Sequence, residues 1–529
     1  MTAHRSTRVV IVGGGPVGLS AAMELTHHGV PCIVVEPRVE VSYLRPRAKT
    51  TNARSMELFR RWGVTDEIHR RAPMSPDWSK DIVFCTTVTG REITRIPGVL
   101  GLGLDPEDVS ELGQQAPQPI VEDVLRDALA AAPTAELLLG WRGVSIEQDD
   151  EGVRVTVEDA AGAASVISAD YVIGADGPSS MVRKGMGAVF EGSSLSRPNV
   201  SITFDSRELG DLIPFGNAVQ YWVLNPAAPG IVGRLDMDGR WWAISTAGEG
   251  AAAAAEADAE GAVRELLGSD VEVEVIAVDP WIVRTLIADR YRVGRAFIIG
   301  DAAHMNPPWG GHGFNTGLGD AVNLSWKLAA VIDGWAPDDL LDSYEGERRP
   351  VAQEFVASAA ENGRTGPTRL ATAEIMGDEA DFERARPGVA DLIQEFKRIE
   401  FRSDGMVLGV GYGGRAAEQT TDGSDYSPVA AAGNRLPHRR LSGGTSLFDR
   451  LGPELTVIGS ADDARELLAD AAGRGIPLTL VDEPAEELAA FFGARLVLVR
   501  PDQHIAWIGD EAPAAEATRI LDRAIRGFR

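Results

Sequence analysis

Two stretches far apart in the chain carry the residues best suited to chemistry: Gly13-Gly14-Gly15-Pro16-Val17-Gly18, and Gly300-Asp301-Ala302-Ala303-His304-Met305-Asn306-Pro307-Pro308-Trp309-Gly310-Gly311-His312-Gly313-Phe314-Asn315. In the first, Gly13 permits a tight turn, Gly15 lets the backbone approach a pyrophosphate, and Gly18 lets a helix pack closely on a strand. The unpaired N–H groups at the start of that helix would face the phosphates. In the second, Asp301 offers a carboxylate to the hydroxyls of a polyol chain, although the same group would also serve as the N-cap of a following helix. Gly310, Gly311 and Gly313 allow backbone to approach a planar ring, and a helix expected over 318–331 directs its positive end there. Together the two stretches can hold both ends of one long dinucleotide, which suits a bound flavin better than a passing nicotinamide.

The elements that must position these groups are legible around them. Arg8-Val9-Val10-Ile11-Val12 is an apolar, β-branched run typical of a buried parallel strand, followed by a helix over 16–28. A second strand, Cys32-Ile33-Val34-Val35-Glu36, ends in a carboxylate at the spacing expected for a ribose hydroxyl. A basic, turn-containing segment then runs from Arg45 to Glu57, including Arg47 and Lys49, and leads into a helix through Leu58 and Phe59; charge runs are usually solvated, but in an acidic chain this one is informative. Further on, Pro117-Gln118 precedes a helix through Glu122, Leu125 and Leu129, strands are expected over 144–147 and 152–157, and Gly174-Ala175-Asp176-Gly177 follows another apolar run. From 186 to 279 the pattern changes to strands and turns rich in Trp and Tyr, interrupted by one amphipathic helix over 250–267. Parallel-strand character returns at Arg295-Ala296-Phe297-Ile298-Ile299-Gly300, so the nucleotide-binding part is discontinuous.

The expected fold is α/β, with a Rossmann-like FAD-binding domain over 1–185 and 280–400 and an inserted β-rich substrate domain over 186–279. A Gly-, Pro- and Ser-rich linker or covering segment spans 401–445, and a β/α unit at 446–529 has the element order of a thioredoxin-like domain. That unit lacks the CxxC pair and indeed any cysteine, so a packing or oligomerisation role, such as a homodimer contact, is its default.

Composition narrows the partners. The chain has 529 residues, 44% of them hydrophobic, enough for several cores. A net charge of −27 opposes binding to nucleic acid or to an anionic membrane. Only five lysines occur: Lys49, Lys80, Lys184, Lys327 and Lys397. Cys32 and Cys85 form no close-spaced pair, so no metal site is expected. Without a charged leader or a run of about 20 apolar residues, a cytoplasmic protein is expected.

The motifs together resemble those of the single-component FAD-dependent aromatic hydroxylases. The resemblance rests on Gly13-x-Gly15-x-x-Gly18, on Gly174-Ala175-Asp176-Gly177-x-x-Ser180-x-x-Arg183, and on Gly300-Asp301 with Pro308-x-Gly310-Gly311-x-Gly313-x-Asn315. Asp320-Ala321-x-Asn323-Leu324-x-Trp326-Lys327-Leu328-Ala329 belongs with the last of these, while Leu341-Asp342-Ser343-Tyr344-Glu345-x-Glu347-Arg348 and Leu498-Val499-Arg500-Pro501-Asp502 before Ala506-Trp507 are similar to the longer members, phenol and aromatic-polyketide hydroxylases among them. Ile508 departs from a pattern in which relatives tend to carry Arg after the Ala-Trp pair.

The resemblance implies FAD held by Gly13, Gly15, Pro16, Gly18, Glu36, Pro37, Arg38, Arg47, Gln118, Asp176, Gly177, Arg183, Gly300, Asp301, Pro308, Gly311, Gly313, Phe314 and Asn315. Glu36 would bind the adenosine ribose, Asp301 the ribityl chain, and Pro308, Gly310, Gly311 and Asn315 would flank the reactive edge, with no general base assigned. It further implies NAD(P)H as co-substrate, NADPH the favoured form, and dioxygen delivered through a flavin C4a-hydroperoxide to a phenolic or polyketide-type aromatic. The cofactor carries the hard chemistry and the protein keeps the chamber dry. Expected chamber residues are Tyr221, Trp222, Asn225, Arg234 and Trp242 from the β-rich layer, with Trp309 and His312 on the flavin side. Trp and Tyr at strand spacing are more often core than ligand, and His304 is expected to be structural.

Three other readings compete. A Baeyer–Villiger oxygenase would use the same peroxide as a nucleophile. A flavin-dependent halogenase is weakly suggested by Trp242-Ala243-Ile244-Ser245, where Arg240 and Ser245 replace residues of that family's tryptophan signature. A non-catalytic flavin-binding sensor is the third, and the complete flavin-edge loop argues against it.

Overall fold

The computed structural model describes residues 4–246, 249–413, 423–441 and 444–528. Val9–Val12 is fully buried and forms the middle of a six-stranded sheet. Its spatial order is Arg292–Val293, Ala296–Ile298, Tyr171–Gly174, Val9–Val12, Cys32–Glu36 and Ala135–Leu139, parallel except for the first. These strands are apolar without alternation because helices cover the sheet, including Pro16–His27, Gln118–Ala130 and His312–Ile332, whose side chains share its core. The register pairs Val12 with Gly174 and Gly174 with Ile298. Three neighbouring strands therefore release the chain at one edge, at Gly13, Ala175 and Ile299. Crevices at the carboxyl ends of such strands are where ligands bind.

The Trp-rich region forms an eight-stranded sheet, but not within the expected limits. Its order is His304–Met305, Glu274–Ala288, Phe190–Asp205, Arg240–Ser245, Gly230–Arg234, Gln220–Val223, Ile82–Cys85 and Glu92–Ile96. The last two strands come from the region assigned by sequence to 1–185, and Glu274–Ala288 runs past 279. Local pattern identifies a strand but not its sheet; here Phe84 sits opposite Trp222 in parallel register, a pairing made only in three dimensions.

One face of this sheet packs on two helices, Glu249–Ala257 and Ala259–Leu267. The single helix expected over 250–267 is split because Asp258 accepts the Gly261 N–H at 2.9 Å and caps a second helix. The other face packs against Glu379–Phe401 and looks toward the crevice. The helix expected over 318–331 begins six residues earlier, at His312, because Gly311 adopts φ +68° and ends the loop there.

The C-terminal unit pairs Leu455–Gly459 with Leu478–Asp482 in parallel, then adds Leu496–Val499 and Ile505–Gly509 antiparallel. Its element order is the thioredoxin-like one expected. Of the covering segment, 414–422 and 442–443 lie outside the described residues. The remainder holds a short helix, Asp404–Leu408, and is stitched to its surroundings by bridges Gly411–Asn434 and Arg435–His504.

Candidate active site

The first glycines do what their type allows. Gly13 has φ +110°, and a Cβ there would lie 2.2 Å from the Ala175 carbonyl oxygen. A Cβ on Gly18 would lie 2.0 Å from the Gly13 carbonyl, so helix and turn meet with no room for a side chain. At Gly15 the added atom would meet nothing within 4 Å. The helix Pro16–His27 starts there without a side-chain cap or an acidic first-turn residue, leaving its N–H groups open to an anion.

Beside this opening Glu36 is buried and accepts the Gly14 N–H at 2.7 Å, the Arg38 N–H at 2.9 Å and Arg38 Nε at 2.7 Å. Arg38 also reaches Glu122 at 3.1 Å, and Gln118 donates to Glu122 at 2.7 Å. Glu122, which sequence reading passed over, thus joins Glu36, Arg38 and Gln118 into one wall. Pro37 is exposed on its rim.

The second loop returns to the same edge. Its Gly300 has φ +58°, and a Cβ there would sit 3.1 Å from Val17 on the first helix. Asp301 opens into the crevice, and among the described residues no hydrogen bond to its carboxylate is formed. Burial raises its pKa, opposed by His304 and by Arg47, which therefore lies within electrostatic reach. Arg47 itself is exposed, 3.8 Å from Asp279. His304 is buried and structural: burial disfavours its charge, but Asp320 at 2.8 Å outweighs that and raises its pKa.

Asp176 and Arg183 both make hydrogen bonds within the protein. Asp176 accepts Ser180 Oγ at 2.5 Å and the Met181 N–H at 2.6 Å, which holds the turn through Gly177. Arg183 donates to the carbonyls of Ala302 and Pro178 at 3.2 and 3.0 Å, tying this turn to the Asp301 loop.

At the flavin-edge loop Gly310 and Gly311 have φ +83° and +68°, conformations that side chains resist. Pro308 is exposed, Gly313 is unobstructed up to Asn306 at 3.9 Å, and Phe314 packs on the core of the parallel sheet. Asn315, expected to be catalytic, has its amide engaged: it donates to the Gly311 carbonyl at 2.8 Å and accepts from the Asn52 N–H at 3.0 Å and Ser55 Oγ at 2.8 Å. A buried pair reinforces the loop, with Lys397 donating to Glu400 at 2.5 Å while Glu400 accepts the Gly310 N–H.

Strand alternation sorts the expected chamber residues. Trp222 and Trp242 lie on the face toward the crevice, with Trp309 against the same cluster. Tyr221 and Arg234 are corrected: they lie on the opposite face. Tyr221 there donates to the Gly216 carbonyl at 2.8 Å, and Arg234 stacks on Trp241 with 4.6 Å to the ring centroid. Asn225 accepts the Ala227 N–H in a turn, and His312 packs behind the loop, 4.9 Å from the Phe355 ring. Lys49, passed over as a site residue, does reach the chamber; its signal was rarity, one of five lysines in an Arg-dominated chain.

Comparison with known proteins agrees with this geometry. Residues 6–359 match the model of an FAD binding domain family, and 430–526 that of the aromatic-ring hydroxylase C-terminal family. The chain belongs to the FAD-dependent aromatic hydroxylases. It is 32% identical over 553 residues to tetracenomycin B2 monooxygenase-dioxygenase of Streptomyces olivaceus, covering 97% of each chain. The rebeccamycin biosynthetic enzyme RebC with reduced flavin superposes with a TM-score of 0.90 at 33% identity, over 99% of this chain and 100% of that one. Aklavinone-11 hydroxylase, solved with FAD and aklavinone, gives 0.79 at 28% identity, over 99% of each.

Proposed function

We propose that this protein is an FAD-dependent, NAD(P)H-consuming monooxygenase that hydroxylates a phenolic or polyketide-type aromatic substrate. The observation that carries the reading is the meeting of an open pyrophosphate turn at Gly15, the free carboxylate of Asp301 and the glycine loop 310–313 along one sheet edge, beside a Trp-walled face. The residues present fit FAD. Gly15 and the start of Pro16–His27 would hold the pyrophosphate, Glu36 the ribose and Asp301 the ribityl hydroxyls.

When bound, the flavin supplies acceptance of electrons from NAD(P)H and activation of dioxygen. The chain's own part is positional. The start of helix His312–Ile332, uncapped and free of acidic residues, presents N–H groups to negative charge on the ring, an effect of about 0.3–1 kcal/mol, rising to about 2 kcal/mol when partly buried. Glu400 and Asn315 fix the loop, and Trp242 and Trp309 keep water from the chamber. The relative solved with FAD and aklavinone supports a substrate of that kind.

The test measures NAD(P)H oxidation, oxygen uptake and released peroxide across phenols and polycyclic aromatics, with mass spectrometry of products. Coupled oxygen insertion into a ring carbon is expected. FAD-loaded protein that consumes no NAD(P)H with any of them, or that yields lactones, overturns the reading.

A further inference from the structure

Lys49 occupies an unusual position. Its Nζ lies 4.3 Å from the centroid of the Trp242 ring, on the crevice face of the large sheet. That indole is fixed flat against the strand beside it, since a Cβ on Gly233 would fall 2.6 Å from the ring. The next residue, Thr50, sits with Oγ1 3.6 Å from where a Cβ of Gly311 would be. Lys49 therefore bridges the flavin-edge loop and the aromatic wall, where a substrate ring must lie.

Its ammonium is also under-used. An ammonium has three donors, and the one protein acceptor within reach among the described residues is the Arg47 carbonyl at 3.0 Å. The other cations of the segment are matched: Arg45 and Arg47 both reach Asp279, at 3.4 and 3.8 Å. No carboxylate pairs with Lys49 among the described residues. The charged group that acts on it is Arg47 on its own segment.

Resting on the hydroxylase reading, we propose that Lys49 receives the substrate, its amine taking the proton of a phenolic hydroxyl and then holding the phenolate as an ammonium–phenolate pair. The O–H bond breaks, an N–H bond forms, and no electrons leave the pair of reactants. The ring gains the electron density that an electrophilic oxygen requires, so the chamber selects aromatics with a free hydroxyl near the reacting carbon. Burial, with Arg47 adding repulsion, pushes the Lys49 pKa down to about 8. The neutral amine thus becomes available as pH rises through that value, and kcat/KM rises with it.

The experiment compares FAD-loaded wild type, Lys49→Met and Lys49→Arg at equal flavin content. The probes are a phenol acidified by an electron-withdrawing substituent until its pKa lies below the Lys49 value of about 8, with its own titration recorded free in solution, and its methyl ether. Binding is read by flavin difference spectra and ionisation by the ultraviolet band of the phenolate; kcat/KM is followed from pH 6 to 9. Lys49→Met should bind the phenol about tenfold or more weakly while its affinity for the ether changes little. The inflection near pH 8 should vanish in both variants, with Lys49→Arg still favouring phenol over ether. An unchanged inflection and phenol preference in Lys49→Met overturns the inference alone. Phenol ionised on binding to wild type without any turnover supports it while sinking the hydroxylase reading.

Discussion

The pyrophosphate turn and the seam beneath the C-terminal unit hold the same nucleotide-binding domain by opposite means. At the turn, side chains are absent where contact matters, and backbone donors are left open at Gly15. At the seam, charges are fully buried and matched. Arg500 donates to both oxygens of Glu347 at 2.8 Å and to Asp502 at 2.6 Å, and Glu347 also receives Lys327 at 2.8 Å and Asn323 at 2.7 Å. The neighbouring Arg348 reaches Asp320 at 2.8 Å, whose other oxygen receives His304 and the Gly300 N–H at 2.8 and 3.1 Å. The seam thus runs from the C-terminal unit to the residue before Asp301. A unit without redox residues is part of what shapes the cofactor crevice.

The difference is one of tolerance. A ligand-binding turn is complete only with its ligand, so changes there register in affinity. A buried ion cluster is complete without one, and removing a partner leaves an uncompensated charge.

The largest effect is therefore expected at the seam. Arg500→Met should cost about 3–5 kcal/mol, read as a lowered denaturant midpoint; a loss under about 1 kcal/mol would show that the cluster is not what joins the two units. At the turn, Gly18→Ala meets the Gly13 carbonyl and should cost about 1–3 kcal/mol of stability. Gly15→Ala has space for its methyl and a common backbone conformation, φ −76°, so the apoprotein midpoint should hold while the FAD dissociation constant rises. Unaltered FAD affinity in that variant would remove the pyrophosphate from the turn.

Acid separates the regions again. Burial alone would raise the Glu347 carboxyl, but Arg500 and Lys327 outweigh it and hold its pKa at about 2, against 4.5 ordinarily. A depressed carboxylate stabilises the fold above its unfolded pKa, and that contribution fades as pH falls from 4.5 toward 2. Urea midpoints measured across this window should fall in wild type and fall less steeply in Glu347→Gln. The smallest change is expected from Tyr221→Phe, which lies on the far face: turnover should be unaffected and stability reduced by about 1 kcal/mol. Impaired hydroxylation in that variant would contradict the assignment of faces.

Much of this was readable in one dimension. Backbone requirements leave a residue-type signature, so Gly13, Gly18, Gly310 and Gly311 were identifiable from their neighbours, as were the strands that end at them. The start of helix His312–Ile332 was not, because the glycines that open its first turn look like loop. Tyr221 and Trp222 are adjacent and alike in composition, and only the facing layers decide which side of the sheet each occupies.

The sequence by itself determined where phosphate-binding turns, parallel strands and a thioredoxin-like ending occur, since those depend on local periodicity and on glycine's conformational range. Tertiary structure alone decided that strands 82–96 complete the large sheet, that Glu122 and Glu400 support the crevice, and that Lys49 meets Trp242. Such pairings join residues tens to hundreds of positions apart, and their energy depends on distance and burial, quantities that no short window of residues contains.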